Sequence, residues 1–487
     1  MLIKKTKSLC PACNAVIPAD IIEEEGKIWL KSTCPSHGDF RNLYWADAAM
    51  YNRYEQYEAV GSGIDNPQNV VPPETCPTAC GLCSNHRSQT LLANIDLTNR
   101  CNLDCDFCFA NARACGFIYE PSFDEIVDML KLLRSEKPVP TPAVQFSGGE
   151  PTMREDLIRI IKKAKELGFP QVQIATNGVR IANEPGFAKE LKDSGLNTVY
   201  LHFDGVSKET NPILKRHEQA INNLKSVGLG VVLVPTVIRG KNDRELGDII
   251  RFAAKNITVI RGVNFQPVAF TGAASDDDIK KSRITIPEVL AGIEEQLGGI
   301  IKKDDFYPVP CVLPFSDLAE AYMGKPVVRF TAHQHCGAAT YVFVTEDGMI
   351  PVNRMVDVDS LFEAIQKMAD SLKKGGTINK YKTLIEGVKN LHESVKKGEH
   401  KSTAEFWKLI GKTLIGQNFE ALREFHWNAL FIGTMHFMDR YNYDLARVQR
   451  CCIHYATPDG RLIPFCTYNS GPVYREQVWK KYAKAPE

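Results

Sequence analysis

The sequence has no apolar run approaching the ~18 residues that a membrane-spanning helix requires. Its opening, Met1-Leu-Ile-Lys-Lys-Thr-Lys, has no apolar core of signal-peptide length. Neither sign of charge dominates: 59 Lys and Arg against 58 Asp and Glu leave a net charge of +1. No basic field therefore directs the chain to nucleic acid or to an anionic surface. Low-complexity tracts are absent as well. These absences exclude the integral-membrane, secreted, fibrous and disordered classes, and the expectation is a cytoplasmic globular protein with no nucleic-acid partner. Hydrophobic residues at 44% and charged ones at 24% are ordinary for such a protein. The 487 residues amount to about three domains at ~150 residues each.

Cysteine is in excess. There are 15, an odd count, and ten of them precede residue 116. Without an export signal, disulfides are a poor reading. Thiols two or three residues apart suit zinc, iron or iron–sulfur ligation instead. Cys10-Pro-Ala-Cys13 and Cys34-Pro-Ser-His37 form C-x2-C-x20-C-x2-H, two knuckles at the spacing of a zinc ribbon or rubredoxin-like site. They are read as a structural mononuclear zinc or iron site. Cys76, Cys80 and Cys83 repeat a C-x3-C-x2-C spacing, either as a second cluster or lending a thiolate to the first site in place of His37. His86 and Cys115 are candidates for a fourth ligand.

Composition divides the chain near residues 90 and 300. Residues 1–90 form a cysteine-rich metal-binding region with turn signals such as Pro72-Pro73 and no long periodic pattern. Residues 91–300 alternate β-rich runs at 92–98, 143–146, 171–175, 198–203, 230–234 and 259–265 with amphipathic patterns at 154–167, 186–193, 213–227 and 243–254. Ser122-Phe-Asp-Glu125 opens a further helix with a capping box. Six strands alternating with helices predict an α/β fold on a parallel sheet; a partial (β/α)6 barrel and an open doubly wound sheet both fit. Residues 301–487 read as an α+β domain, with hairpins at 341–348 and 454–460 flanking a helical stretch at 402–440. If 419–438 is a helix, Phe419, Leu422, His426, Leu430, Gly433 and Phe437 form one stripe, and Trp427, Phe431, Met435 and Met438 another. Such a helix buries both faces, either inside a core or against a cavity for a long apolar substrate.

The first central strand runs into Cys101-Asn-Leu-Asp-Cys105-Asp-Phe-Cys108. Three thiolates at this spacing bind three corners of a [4Fe–4S] cube and leave one iron open, as a catalytic metal requires. Later strands end in Ser147-Gly-Gly-Glu150, Ala175-Thr-Asn-Gly178 and His202-Phe-Asp204-Gly205. A glycine pair admits close backbone approach to a ligand, and the Glu150 carboxylate is one that could pair an amine. Ligands bind at the carboxyl ends of parallel strands, so the four features converge on one place.

This ordered set resembles the radical S-adenosylmethionine superfamily over roughly residues 91–270. The resemblance implies a partial (β/α)6 barrel with a [4Fe–4S] cluster on Cys101, Cys105 and Cys108, whose open iron chelates the methionine end of S-adenosylmethionine. It places Phe107 near adenine, Gly148, Gly149 and Glu150 at the methionine amine, Thr176 and Asn177 at the ribose end, and Asp204 as the acidic residue of the fourth strand end. His202 stands where the family often has serine. The implied chemistry is one-electron cleavage to a 5′-deoxyadenosyl radical that abstracts hydrogen from an unactivated carbon.

Cys336-Gly-Ala-Ala followed by Asp347-Gly348 resembles the auxiliary-cluster motif of SPASM-type radical enzymes, with Asn353 where a cysteine is expected. Cys466, in the second hairpin, resembles that closing cysteine. The resemblance implies an auxiliary cluster on Cys311, Cys336, Cys466 and one of Cys451 and Cys452. Two auxiliary [4Fe–4S] clusters and one mononuclear iron or zinc then accompany the radical cluster. Over essentially its whole length the sequence also resembles archaeal tetraether lipid synthases. That implies joining the terminal methyl carbons of two phytanyl chains of an archaeal ether lipid, at the membrane surface, with electrons from a ferredoxin or flavodoxin. The alternative is a radical methylase of the pterin ring of tetrahydromethanopterin, a label that very similar sequences carry. It predicts a one-carbon donor and a pocket for a polar heterocycle. No cobalamin domain is identifiable.

Overall fold

The computed structural model describes residues 1–67, 75–105, 108–109, 116–271, 279, 281–346, 348–374, 429–470 and 474–484. Phe107, Cys115, Asp347, Trp427 and the expected helical residues 402–428 lie outside the described residues.

The N-terminal region is a four-stranded antiparallel sheet, β1 (Leu2–Leu9), β2 (Val16–Glu24), β3 (Lys27–Cys34) and β4 (Gly38–Trp45), in chain order. Glu25 and Gly26 turn β2 into β3 with φ of 53° and 70°, both in the left-handed region that two-residue hairpins use. The helix Ala48–Glu55 follows, its first turn capped by Asp47, which accepts from Met50 N at 2.9 Å.

The central strands are β5 (Leu92–Thr98), β6 (Ala143–Gly148), β7 (Gln171–Thr176), β8 (Thr198–His202), β9 (Gly230–Val234) and β10 (Ile260–Pro267). They pair in parallel and in chain order. The capping box at Ser122 forms as its sequence predicts: Ser122 Oγ accepts from Glu125 N, and Glu125 Oε2 accepts from Ser122 N at 2.7 Å. Alternation sorts the strand residues onto two faces. Ala93, Ile95, Leu97, Val144, Phe146, Val172, Ile174, Val199 and Leu201 are buried against helices such as Phe123–Arg134, Leu157–Glu166 and Leu246–Lys255. Asn94, Asp96, Gln145, Ser147, Gln173, Tyr200 and His202 occupy the other face.

The C-terminal residues complete both sides of this sheet. β11 (Gly337–Thr345) and β12 (Gly348–Pro351) form the first expected hairpin, and β14 (Ile453–Ala456) and β15 (Leu462–Pro464) the second. Residues 429–435, expected as part of a helix, are instead strand β13 (Ala429–Met435). It pairs in parallel with β10 and antiparallel with β11. A short continuous apolar run has no periodicity to separate buried strand from buried helix, and two open strand edges decide for strand. On the far side, β14 pairs in parallel with β5. Strands from beyond residue 300 thus flank the central six on both edges.

Candidate active site at the carboxyl ends of the strands

The loop leaving β5 exposes Cys105 and Cys108 and half-buries Cys101. Arg100 N donates to Thr98 Oγ1 at 3.1 Å and Leu103 N to Cys101 Sγ at 3.5 Å, so the loop turns at once. Its other support is the end of β6. Gly149 N donates to Thr98 O at 2.7 Å and Glu150 N to Arg100 O at 2.8 Å. A Cβ at position 149 would stand 2.4 Å from Arg100 O. Closeness to this loop's backbone, as well as to any ligand, is what the glycine pair permits.

Glu150 is buried, and its carboxylate accepts from Thr152 N at 3.0 Å, Thr152 Oγ1 at 2.6 Å, Thr176 Oγ1 at 2.7 Å and Asn177 N at 2.7 Å. Burial pushes its pKa up, against the pull of these donors. The carboxylate fastens β6 to β7 at their ends, so its acceptors are already occupied. Asn177 in turn donates through Nδ2 to Asn102 Oδ1 at 2.7 Å, reaching into the cysteine loop. At the fourth strand end His202 Nε2 lies 2.8 Å from Asp204 Oδ2, and Asp204 Oδ1 accepts from Thr236 N at 2.8 Å. The Asp204 carboxylate holds the His202 pKa up. Three of the four expected strand ends are therefore cross-linked to the cysteine loop or to one another.

Below them the inner face carries amides in register. Gln173 Nε2 donates to Gln145 Oε1 at 2.8 Å, and Gln145 Nε2 to Asn94 Oδ1 at 2.8 Å. Asn94 Nδ2 is buried with no hydrogen-bond partner among the described residues. This ladder, missed in the motif reading, was present in the sequence as polar residues alternating with apolar ones along three consecutive strands.

Cys10, Cys13, Cys34 and His37 offer ligand atoms all within 4.8 Å of one another. Cys10 Sγ and Cys34 Sγ lie 3.7 and 3.5 Å from His37 Nδ1, and Cys13 Sγ lies 4.0 Å from Cys34 Sγ. Three sulfurs and one imidazole nitrogen this close fit a single tetrahedral ion. Cys76, Cys80 and Cys83 are buried together, and burial pushes the thiols of Cys76 and Cys80 up to about 12. Cys336, Cys451, Cys452 and Cys466 interact with one another. Cys311 interacts instead with Asp359, Tyr54, Tyr57 and Tyr307. Arg447 is buried, donating to Cys336 Sγ at 3.4 Å and to His436 O at 2.8 Å, with no carboxylate ion pair among the described residues. A buried guanidinium needs an anionic counterpart, and a thiolate-ligated cluster at these cysteines would supply one.

Residues 95–253 match the radical SAM superfamily, and residues 2–46 match the HMPTM N-terminal zinc ribbon domain. A Methanocaldococcus jannaschii protein named 7,8-dihydro-6-hydroxymethylpterin dimethyltransferase is 47% identical over 490 residues, covering 99% of this chain and 96% of its own. A Methanothermobacter thermautotrophicus protein named probable GTP 3′,8-cyclase is 26% identical over 43% of this chain and 68% of its own. Among solved structures, Streptococcus suis SuiB bound to S-adenosylmethionine is similar over 37% of this chain and 41% of its own, at 20% identity and a TM-score of 0.31.

The near-full-length relative is named for a pterin and for methyl transfer. That overturns the expected coupling of phytanyl chains, and with it the archaeal ether lipid as substrate and the contact with a membrane surface. The inner face agrees with the correction, since a row of amides is a poor lining for a dry lipid groove. No described helix is long and apolar enough to cross a membrane.

Proposed function

This chain belongs to the radical S-adenosylmethionine superfamily and to the family of the Methanocaldococcus jannaschii dimethyltransferase; on that premise we propose that it methylates a 7,8-dihydro-6-hydroxymethylpterin. The observation that carries the reading is the amide ladder Asn94–Gln145–Gln173 on the inner face of the sheet. A pterin edge presents ring nitrogens, a carbonyl and an amino group, and oriented amides are the groups that read such an edge.

A [4Fe–4S] cluster and S-adenosylmethionine are the cofactors, and bound together they supply one-electron abstraction of hydrogen from carbon. We assign three cluster ligands to Cys101, Cys105 and Cys108. Their loop is supported from both sides, by Thr98 and by the Gly148-Gly149-Glu150 turn. The backbone of that turn, with the Glu150 acceptors already occupied, is the candidate contact for the methionine amine. Thr176 and Asn177 are the candidate contacts for the ribose end, and Phe107, assigned to adenine from the motif alone, lies outside the described residues. Asp204 is fixed by His202 and the Thr236 amide, so the pair can hold or pass a proton at His202 Nε2. Cys76, Cys80 and Cys83 form one auxiliary site. Cys336, Cys466 and Cys452 or Cys451 form the other, with Arg447 as its counter-charge. We read the central sheet as a partial (β/α)6 barrel spanning 91–300, between a metal-binding region at 1–90 and a C-terminal auxiliary region at 301–487.

The deciding experiment incubates reduced, reconstituted enzyme with the dihydropterin, S-adenosylmethionine and a one-carbon donor, and weighs the products. Methyl increments on the pterin are expected. Cofactor cleavage that never depends on the pterin, with no heavier product, would remove the reading.

A further inference from the structure

The C-terminal helix Tyr474–Lys481 carries one cation inward. The guanidinium carbon of Arg475 lies 5.7 Å from the ring of Phe109, 5.6 Å from Tyr455, 5.3 Å from Tyr468 and 5.3 Å from Trp479. Its Nη1 donates to Phe109 O at 3.2 Å and its Nη2 to the Tyr455 hydroxyl at 3.0 Å. Its Nε stands 3.7 Å from Asp96 Oδ2 and makes no hydrogen bond among the described residues. Four rings and a buried carboxylate largely enclose one cation. They also fix the direction of the fork, which a point-charge ammonium could not reproduce.

The position of that fork gives it meaning. Asp96 lies on β5, the strand that enters the cysteine loop, and Phe109 directly follows Cys108, the last cysteine of the motif. One side chain thus spans the segment that leads into the three cysteines and the residue that leaves them. Adding an electron to an anionic cluster is easier beside a fixed cation, and the effect grows where water is excluded.

We propose that Arg475 is a positioning residue that clasps the Cys101–Cys108 loop and, by its fixed positive charge, raises the reduction potential of the cluster held there. The inference rests on the cluster assignment and is independent of the substrate. An anchor that merely tied the C-terminal helix down would hold the loop without moving the potential.

The test is a redox titration of reconstituted wild-type enzyme, Arg475→Gln and Arg475→Lys, followed by electron paramagnetic resonance. The signal that changes on adding S-adenosylmethionine reports the radical cluster. Iron per chain and hydrogen exchange of the peptide containing Phe109 are measured alongside. Arg475→Gln is expected to move the midpoint to a more negative potential. Arg475→Lys should return it toward wild type, because the charge is kept. The Phe109 peptide should exchange faster in both variants, because the fork is lost. A wild-type midpoint in Arg475→Gln overturns the proposal. So does a fall in Arg475→Lys as large as that in Arg475→Gln or, should the glutamine variant fail to retain iron, an Arg475→Lys midpoint well below that of the wild type. A wild-type enzyme with no signal responsive to S-adenosylmethionine would overturn the cluster assignment beneath it.

Discussion

Gly148 and Thr98 are pressed backbone to backbone: a Cβ at position 148 would stand 2.2 Å from the Thr98 carbonyl oxygen. Gly148 also has φ of 125°, a conformation that side chains rarely adopt. Gly148→Ala must therefore push β6 away from the root of the cysteine loop. Strain alone costs about 1–3 kcal/mol, and the loop gives way before the sheet does. The expected outcome is lower iron content and lost S-adenosylmethionine binding in a chain that still folds. Wild-type cofactor affinity in this variant would show that the contact is incidental.

Cys105→Ala should abolish 5′-deoxyadenosine formation, because the cluster loses one of three ligands. Cys10→Ala acts elsewhere, through the packing of the N-terminal sheet, and should lower the melting temperature while leaving cofactor cleavage per folded chain near wild type. Equal loss of cleavage in both variants would contradict the division of labour between the two sites.

Anaerobic metal analysis should find about twelve irons with one zinc, or about thirteen irons, from three cubane clusters and one mononuclear site. A value of about four irons would leave the radical cluster alone and dismiss both auxiliary sites.

Gln145→Leu interrupts the inner amide ladder without touching the cysteine loop. Pterin affinity should drop about tenfold or more, since a buried polar group left unpaired costs about 1–3 kcal/mol. Pterin-independent cofactor cleavage should persist. Unchanged pterin binding, measured by fluorescence quenching, would move the substrate off this face.

Glu136 predicts a pH dependence of stability. Burial raises its pKa from 4.5 to about 7, against the pull of hydrogen bonds from Thr141 and Thr90. Between those values the folded chain binds more protons than the unfolded one. This contribution is therefore fully present below about pH 4.5 and is lost as pH rises to about 7. At ~1.4 kcal/mol per unit the loss is about 3 kcal/mol. Denaturant titrations across this range should show a shallower slope in Glu136→Gln, and an unchanged slope would refute the assignment.

The central sheet was legible because its strands are short apolar or alternating runs separated by amphipathic helical patterns. β5 and β9 occupy the expected residues 92–98 and 230–234. The N-terminal sheet was not legible, since strands such as Leu2–Leu9 alternate lysine with small residues and present no strong apolar face. The knuckle spacing showed its metal site but not its strands. Motif spacing placed Glu150, Asn177 and Asp204 at one end of the sheet, yet could not show that the Glu150 carboxylate was already engaged. Arg447 and Arg475 escaped notice because their partners, Cys336 and Phe109, are 111 and 366 residues away. No local pattern encodes such pairs. The lipid substrate followed from the whole-chain resemblance and from an apolar run that reads as a two-faced helix, whereas residues 429–435 are a strand paired on both sides.

Because β13 and β14 flank β10 and β5, the order of synthesis constrains the order of assembly. A ribosome that has made every cysteine of the radical cluster has not yet made either flanking strand. Both edges of the nascent sheet stay open until residues 429–456 emerge. Unpaired edges are templates for mispairing with other chains. Iron delivered early would meet a loop whose Arg475 clasp does not yet exist. Cluster insertion should therefore follow chain completion, and stalled chains released before residue 429 should aggregate and remain colourless.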